Sequence, residues 1–402
     1  MNVFRKSVAT LFLSLSLAVI ASAQSTIVSR KPSGDEYWYI LKQAQDAFDF
    51  SDYGQAISLA EQAKNKRKAL IEWEKYTMDQ AQRSSDVRLS GDDLGLVREA
   101  LVRGKLKNAL EIMDSYLSLY GKSKFGGKFQ NLLSFIDRNA AYPEADYLIG
   151  KVYKVEGEIK KAETYLKKAY VNFDLLSVPD VKYDILYDMA DIAKSQLDTM
   201  NFSQYLTSRK NNGYYADYEK YMTDILADDS VYSNQSLMNS MIKVISSKDK
   251  KAMTRFFELY RSEGDRSLDA LIGLASYYRI SAAYVATNAE VKAELLKSLR
   301  CSALASIIAV TRIQSVLENR LTDYSYVGIQ DLLKKCTRYS DILSWGNDVG
   351  VWELFGVLAE TADDLGYTDF ASELMKVLAS SNPEPYWQEW AVRKMTASAK
   401  KN

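Results

Sequence analysis

Apolar residues recur at intervals of three and four along almost the whole chain, which is the period of an α-helix. Strand signals are scarce, and no Asn-Gly or Asp-Gly pair separates two alternating runs. Pro32, Pro143, Pro179, Pro383 and Pro385 fall where helices would start or stop, because proline lacks the N–H that a helix interior needs. Ala, Leu, Glu, Lys and Gln fill the positions between the apolar ones, as helix propensity favours. The pattern predicts an all-α protein of consecutive helices joined by short polar turns. Among them are Asp35 to Asp49, Tyr53 to Ser84, Pro143 to Glu156 and Ile159 to Asn172. Further helices are expected over Asp92 to Arg103, Leu106 to Tyr120, Phe125 to Asn139 and Lys250 to Arg261. Ser267 to Ala286 and Ala289 to Glu318 should be the longest and most apolar, and Tyr386 to Lys400 should close the chain.

The first residues read as an address. Arg5 and Lys6 precede a mostly apolar stretch from Val8 to Ile20, and Ala21-Ser22-Ala23 is a small-residue cleavage site followed by Gln24. This is the layout of a secretory signal peptide over residues 1–23, with an apolar stretch too short for a comfortable membrane span. Export into a bacterial periplasm is the expectation, with a mature chain that has no transmembrane segment.

The 402 residues carry 52 Lys and Arg against 52 Asp and Glu, and no His. A balanced charge argues against a general nucleic-acid binder, which needs a basic excess to displace counterions. Without histidine there is no Ser-His-Asp or Cys-His nucleophilic site, no His-ligated zinc and no histidine proton shuttle. Hydrophobic residues make up 47% of the chain, enough to build a core rather than a disordered polymer.

Small residues recur at fixed spacing within candidate helix pairs. The clearest unit, Pro143 to Val171, places Gly150, Ala162 and Ala169 where two helices would cross tightly, with Tyr153, Tyr165 and Leu166 packed around them and Gly157 in the turn. This resembles the tetratricopeptide repeat family, whose pattern has small residues at its eighth, twentieth and twenty-seventh positions. The same register places Ala44, Ala56 and Ala63 near the N-terminus. It fits Ala100 and Ala109 in a second unit, where Val97 and Tyr116 replace small residues. It fits Ala359 and Ala371 near the C-terminus, where Leu378 replaces the last small residue. The resemblance implies an α-α superhelix, a solenoid of helix-turn-helix repeats that bury their faces against neighbours. The expected organisation is a signal peptide over 1–23, N-terminal repeats over 24–178, a central helical region with degenerate repeats over 179–347, and a C-terminal repeat with a capping helix over 348–402.

In that family the first helix of each pair lines a concave face that binds peptides or extended protein segments. The resemblance carries this role to Trp38, Leu41, Gln45 and Phe48 of the first unit and to Leu94 and Arg98 of the second. It carries it to Glu144, Tyr147, Lys151 and Lys154 of the third, and to Glu353, Glu360 and Asp363 of the last. Such a face would be basic in its middle and acidic at its C-terminal end. Tyr37, Trp38 and Tyr39, Tyr214, Tyr215 and Tyr218, and Tyr277 and Tyr278 form aromatic clusters whose ordinary role is packing between helices.

Enzymatic chemistry finds little footing. The Gly121 to Phe129 stretch puts Phe129 where a phosphate loop needs Ser or Thr and follows a helix rather than a strand. The pairs Asp92-Asp93, Asp228-Asp229 and Asp363-Asp364 lack the alternating ligand spacing of a calcium loop. No nucleophile, base and stabiliser can be assembled, and no cofactor or metal is expected. Cys301 and Cys336 either form a single bridge or remain two buried free thiols. The leading expectation is an exported, non-enzymatic scaffold or adaptor that binds protein or peptide partners in the cell envelope. The alternatives are a small-ligand-binding accessory of an envelope transport system, or a structural part of a periplasmic machine such as a flagellar collar.

Overall fold

The computed structural model describes residues 37–84, 138–211, 213–230, 232–247, 252, 256 and 265–399. The segment expected to be a signal peptide, Arg98, the Gly121 to Phe129 loop and the helices expected over 92–103, 106–120, 125–139 and 250–261 lie wholly or almost wholly outside the described residues. Among those described, the protein is all-helical, with 15 α-helices and no strand. The chain divides into two compact units, Met1–Ile192 and Ala193–Asn402.

In the first unit, α1 (Tyr37–Asp49) and α2 (Tyr53–Ser84) form one hairpin, and α3 (Pro143–Val155) and α4 (Ile159–Val171) form another. A 3-10 turn over Phe173–Leu175 leads to α5 (Val181–Asp198), which carries the boundary between the units. Ile40, Ala44 and Ala47 form the buried stripe of α1, and Ala56, Ala60 and Ala63 that of α2. Alanines at those crossings let the backbones approach closely. The two hairpins pack directly on each other, although residues 85–142 separate them in sequence. Their shared core contains Ile40, Ala44, Ala60, Ala63, Tyr142, Ala145, Leu148 and Ile149. Burying each Leu or Ile side chain there stabilises the fold by about 1.5–3 kcal/mol. At the α3–α4 crossing, a β-carbon on Gly150 would lie 2.8 Å from Cδ2 of Leu166, so a larger residue would force that buried side chain to shift.

Three hairpins share one turn. After α1 the chain passes through Ser51 in the left-handed region (φ 61), after α3 through Gly157 (φ 76) and after α13 (Val351–Asp364) through Gly366 (φ 85). In each, the N–H of the next residue donates to the carbonyl five positions back: Asp52 to Ala47, Glu158 to Tyr153, and Tyr367 to Ala362. Each left-handed residue donates three positions back, to Phe48, Lys154 and Asp363 respectively. Each stands seven residues after a small crossing residue, Ala44, Gly150 and Ala359. This is the helix-ending geometry for which glycine is the usual choice.

The second unit continues with α6 (Phe202–Lys210), α7 (Tyr214–Leu226), α8 (Gln235–Ile245), α9 (Asp265–Ala282) and α10 (Asn288–Arg320). It ends with α11 (Ile329–Cys336), α12 (Ser340–Val349), α13, α14 (Thr368–Ser381) and α15 (Pro385–Ala399). Helix α10 is its axis: every residue from 301 to 310 is buried. Helices α9, α11 and α13 all pack against it. Its buried serines return their hydroxyls to backbone carbonyls, Ser298 to Ala275 at 2.7 Å and Ser302 and Ser306 to the carbonyls four residues earlier, so no polar group is stranded by them. Two helices escape the sequence pattern. α6 is polar nearly all round and is set by a capping box in which Asn201 and Gln204 satisfy each other's backbone N–H. α12 is short and holds a buried glycine, Gly346.

Candidate functional site

Among the described first-unit residues assigned by register to a binding face, Phe48, Tyr147, Lys151 and Lys154 come together on one side, while Leu41 packs against the core. Lys151 extends its ammonium over the ring of Phe48 at 4.8 Å and over its own neighbour Tyr147 at 5.5 Å, which joins α1 to α3. Tyr147 is in turn hydrogen-bonded to Asp188 of α5. Lys154, one turn further on, lies 2.6 Å from Asp188 and 2.9 Å from Asp191. The three helices α1, α3 and α5 therefore contribute adjacent side chains to one surface. Trp38 and Gln45 belong to the same stripe of α1. Trp38 is 60% exposed and meets Tyr39 edge-on, while Gln45 is half-buried and donates to Asp49 at 2.8 Å.

The charge of this surface is not the one expected. The sequence places Lys151 and Lys154 in the middle of a basic face, but α5 adds Asp184, Asp188 and Asp191 beside them, and Glu144 lies on the same face of α3. Glu144 accepts from both the N–H and the hydroxyl of Ser177. Two cations thus stand among four carboxylates. Burial alone would lower the Lys154 pKa, but the hydrogen bonds it donates to Asp188 and Asp191 outweigh that and raise it. Burial and the neighbouring Asp188 charge raise the Asp184 carboxyl, with Lys151 pulling the other way. The Tyr147 hydroxyl is held well above its usual range, first by burial and then by Asp188.

The acidic end assigned to α13 is also altered. Glu360 pairs with Arg279 at 3.0 Å and with Lys394, and Arg279 also reaches Asp364 at 3.0 Å and the Thr361 hydroxyl at 3.1 Å. Asp363 stays exposed. The partners Arg279 and Lys394 come from α9 and α15, and no spacing within the repeat could have identified them.

Most of the tyrosine clusters are packing. Tyr215, Tyr218, Tyr277 and Tyr278 are buried, with Tyr277 4.7 Å from both Tyr215 and Tyr218. Their hydroxyls are used internally: Tyr277 donates to the Tyr215 carbonyl at 2.6 Å, Tyr278 to Glu219 at 3.0 Å, and Tyr215 shares a 2.7 Å bond with Ser281. Buried Glu294 receives Arg209 at 3.3 Å and Lys297 at 3.5 Å. Tyr37 packs edge-on against Tyr142 at 5.3 Å. Cys301 and Cys336 are both buried free thiols, so the bridge left open by the sequence is not formed in the structure. Asp229 serves the fold, accepting from the Tyr232 N–H at 3.0 Å and from the Ser267 hydroxyl. Among the described residues, no group of three or more His, Cys, Asp or Glu is placed to hold a metal ion. No helix among them is long and apolar enough to cross a membrane.

No family model matches the chain, and no solved structure matches it. The chain is similar to an uncharacterized protein of Treponema pallidum (strain Nichols), 25% identical over 359 residues that cover 88% of each chain.

Proposed function

We propose that this protein is an exported, non-enzymatic scaffold or adaptor that binds protein or peptide partners of the cell envelope through tetratricopeptide-like hairpins. The observation that carries this reading is the surface on which α1, α3 and α5 set Phe48, Tyr147, Lys151 and Asp188 side by side with Trp38 exposed at its edge. Aromatic and charged side chains on neighbouring rigid helices supply contact area and orientation at small entropic cost. The common turn of three hairpins and their buried small residues support the repeat reading, since a hairpin of this kind buries its second face against a neighbour. The basic n-region, apolar stretch and Ala21-Ser22-Ala23 support export.

The test is photo-crosslinking in cells from a photoreactive residue at Gln45, on the proposed surface, and from one at Lys160, exposed on α4. The expected result is that Gln45 captures one or a few envelope proteins that Lys160 does not. Equal or absent capture from both positions, together with a strong thermal shift on adding a small metabolite, would replace this reading with the ligand-binding one.

A further inference from the structure

We propose that the α1–α3–α5 surface takes a cationic partner, an extended segment carrying lysine or arginine, rather than an acidic one. This rests on the proposed function and names the chemistry of what that surface binds.

Charge complementarity favours a cation on this surface. Read along the repeats alone, the surface displays Lys151 and Lys154 and would suit acidic ligands. In the folded protein Lys154 is committed to two carboxylates at once, at 2.6 and 2.9 Å, and has no charge left to offer. Its partners come from the next helix, so an acidic ligand would have to displace both Asp188 and Asp191. It would also meet the field of Asp184, which is exposed on the same side of α5. Two cations among four carboxylates leave an excess of negative charge, and the Asp184 carboxyl responds to it, raised by burial and by Asp188 and Asp180. Further positive charge brought to this side would be favoured over further negative charge.

The aromatic rings favour a cation independently of net charge. The surface already holds one ammonium in the manner proposed: Lys151 lies over Phe48 at 4.8 Å and over Tyr147 at 5.5 Å, and its charge acts on the Asp184 carboxyl of α5. Aromatic faces carry negative potential and attract ammonium or guanidinium groups. Trp38, the best ring for this purpose, stands on the same stripe of α1 as Phe48 and is 60% exposed. A partner lysine or arginine stacking on Trp38, with another reaching Asp184, would extend the arrangement that Lys151 makes within the chain.

The experiment uses the full mature chain and two fluorescein-labelled peptides of the same length, one with lysine alternating with serine and glycine and one with glutamate in place of each lysine. Fluorescence anisotropy should detect binding of the lysine peptide, weakening as salt is added, and none of the glutamate peptide. Asp184→Lys should weaken the lysine peptide about tenfold or more, and Trp38→Ala should weaken it severalfold. Asp184 and Trp38 are exposed, so both variants should keep the helical circular dichroism of the parent, and Asp184→Asn serves if Asp184→Lys does not fold. No binding of the lysine peptide, equal binding of the glutamate peptide, or affinity unchanged in both variants overturns the proposal. The crosslinking from Gln45 separates the two ideas. Capture of a partner through an acidic segment sinks the cationic inference and leaves the adaptor reading standing, whereas absent capture together with a strong metabolite thermal shift sinks both.

Discussion

Gly346 of α12 faces Trp352 of α13 so closely that a β-carbon on the glycine would lie 2.1 Å from Cζ2 of the indole. The two helices are joined only by Gly350, itself in the left-handed region at φ 82, so the chain reverses with almost no linker. Trp352 is 2% exposed, and its carbonyl accepts from the side chain of buried Asn382 at 3.2 Å. The ring is buried, and the glycine leaves it the space it occupies at this corner.

Gly346→Ala should therefore destabilise the second unit by at least about 1–3 kcal/mol, the usual cost of overpacking a core. Gly356→Ala is the matched control, because its β-carbon would meet the Trp387 ring at an ordinary 3.4 Å. Denaturant melts of the two variants should separate clearly. Equal midpoints would show that the α12–α13 corner has room for a methyl group.

The shared turn predicts opposite signs at equivalent positions. A β-carbon on Gly157 or Gly366 would meet nothing within 4 Å, so Gly→Ala there costs only the left-handed backbone penalty of about 1–2 kcal/mol. Ser51 already bears that penalty at φ 61. Ser51→Gly should stabilise the first hairpin by roughly 0.5–1 kcal/mol, the relief less the extra chain entropy of glycine. Thermal melts read all three, and destabilisation by Ser51→Gly would contradict the equivalence.

The two thiols should be inert in the folded protein. Burial pushes both Cys301 and Cys336 up to about 12, so neither forms thiolate near neutral pH. Ellman's reagent should find no reactive thiol in the native chain and both after denaturation without reductant. A denatured chain that shows none would mean the two are bridged.

Asp341 should mark the acid limb of stability. Arg320 grips it with two hydrogen bonds, at 2.8 and 2.5 Å, and holds its carboxyl at about 2 against an ordinary 3.8. A folded value below the unfolded one means this contribution is fully present above about pH 4 and is lost as pH falls towards 2. The carbon resonance of the Asp341 carboxyl should titrate at that depressed value by NMR. In Arg320→Met it should return towards the ordinary range.

The equivalent turn at Gly366 emerged only in the structure, whereas the helical class, the small residues at hairpin crossings and the turn at Gly157 were legible in the sequence. Each depends on residues a few positions apart, where helical period and backbone sterics act directly. The short helix Phe202–Lys210 was hidden by its polar surface, although Asn201 and Gln204 had the spacing of a cap. The sign of the candidate surface could not be read at all. It turns on Lys154 meeting Asp188, 34 residues away, just as the charge of α13 in the second unit turns on Glu360 meeting Arg279 and Lys394 from two other helices. Local sequence places a charged side chain on a helix face, but a Coulomb partner is chosen by distance in space, and only the packed helices bring Asp188 and Asp191 within reach of that lysine.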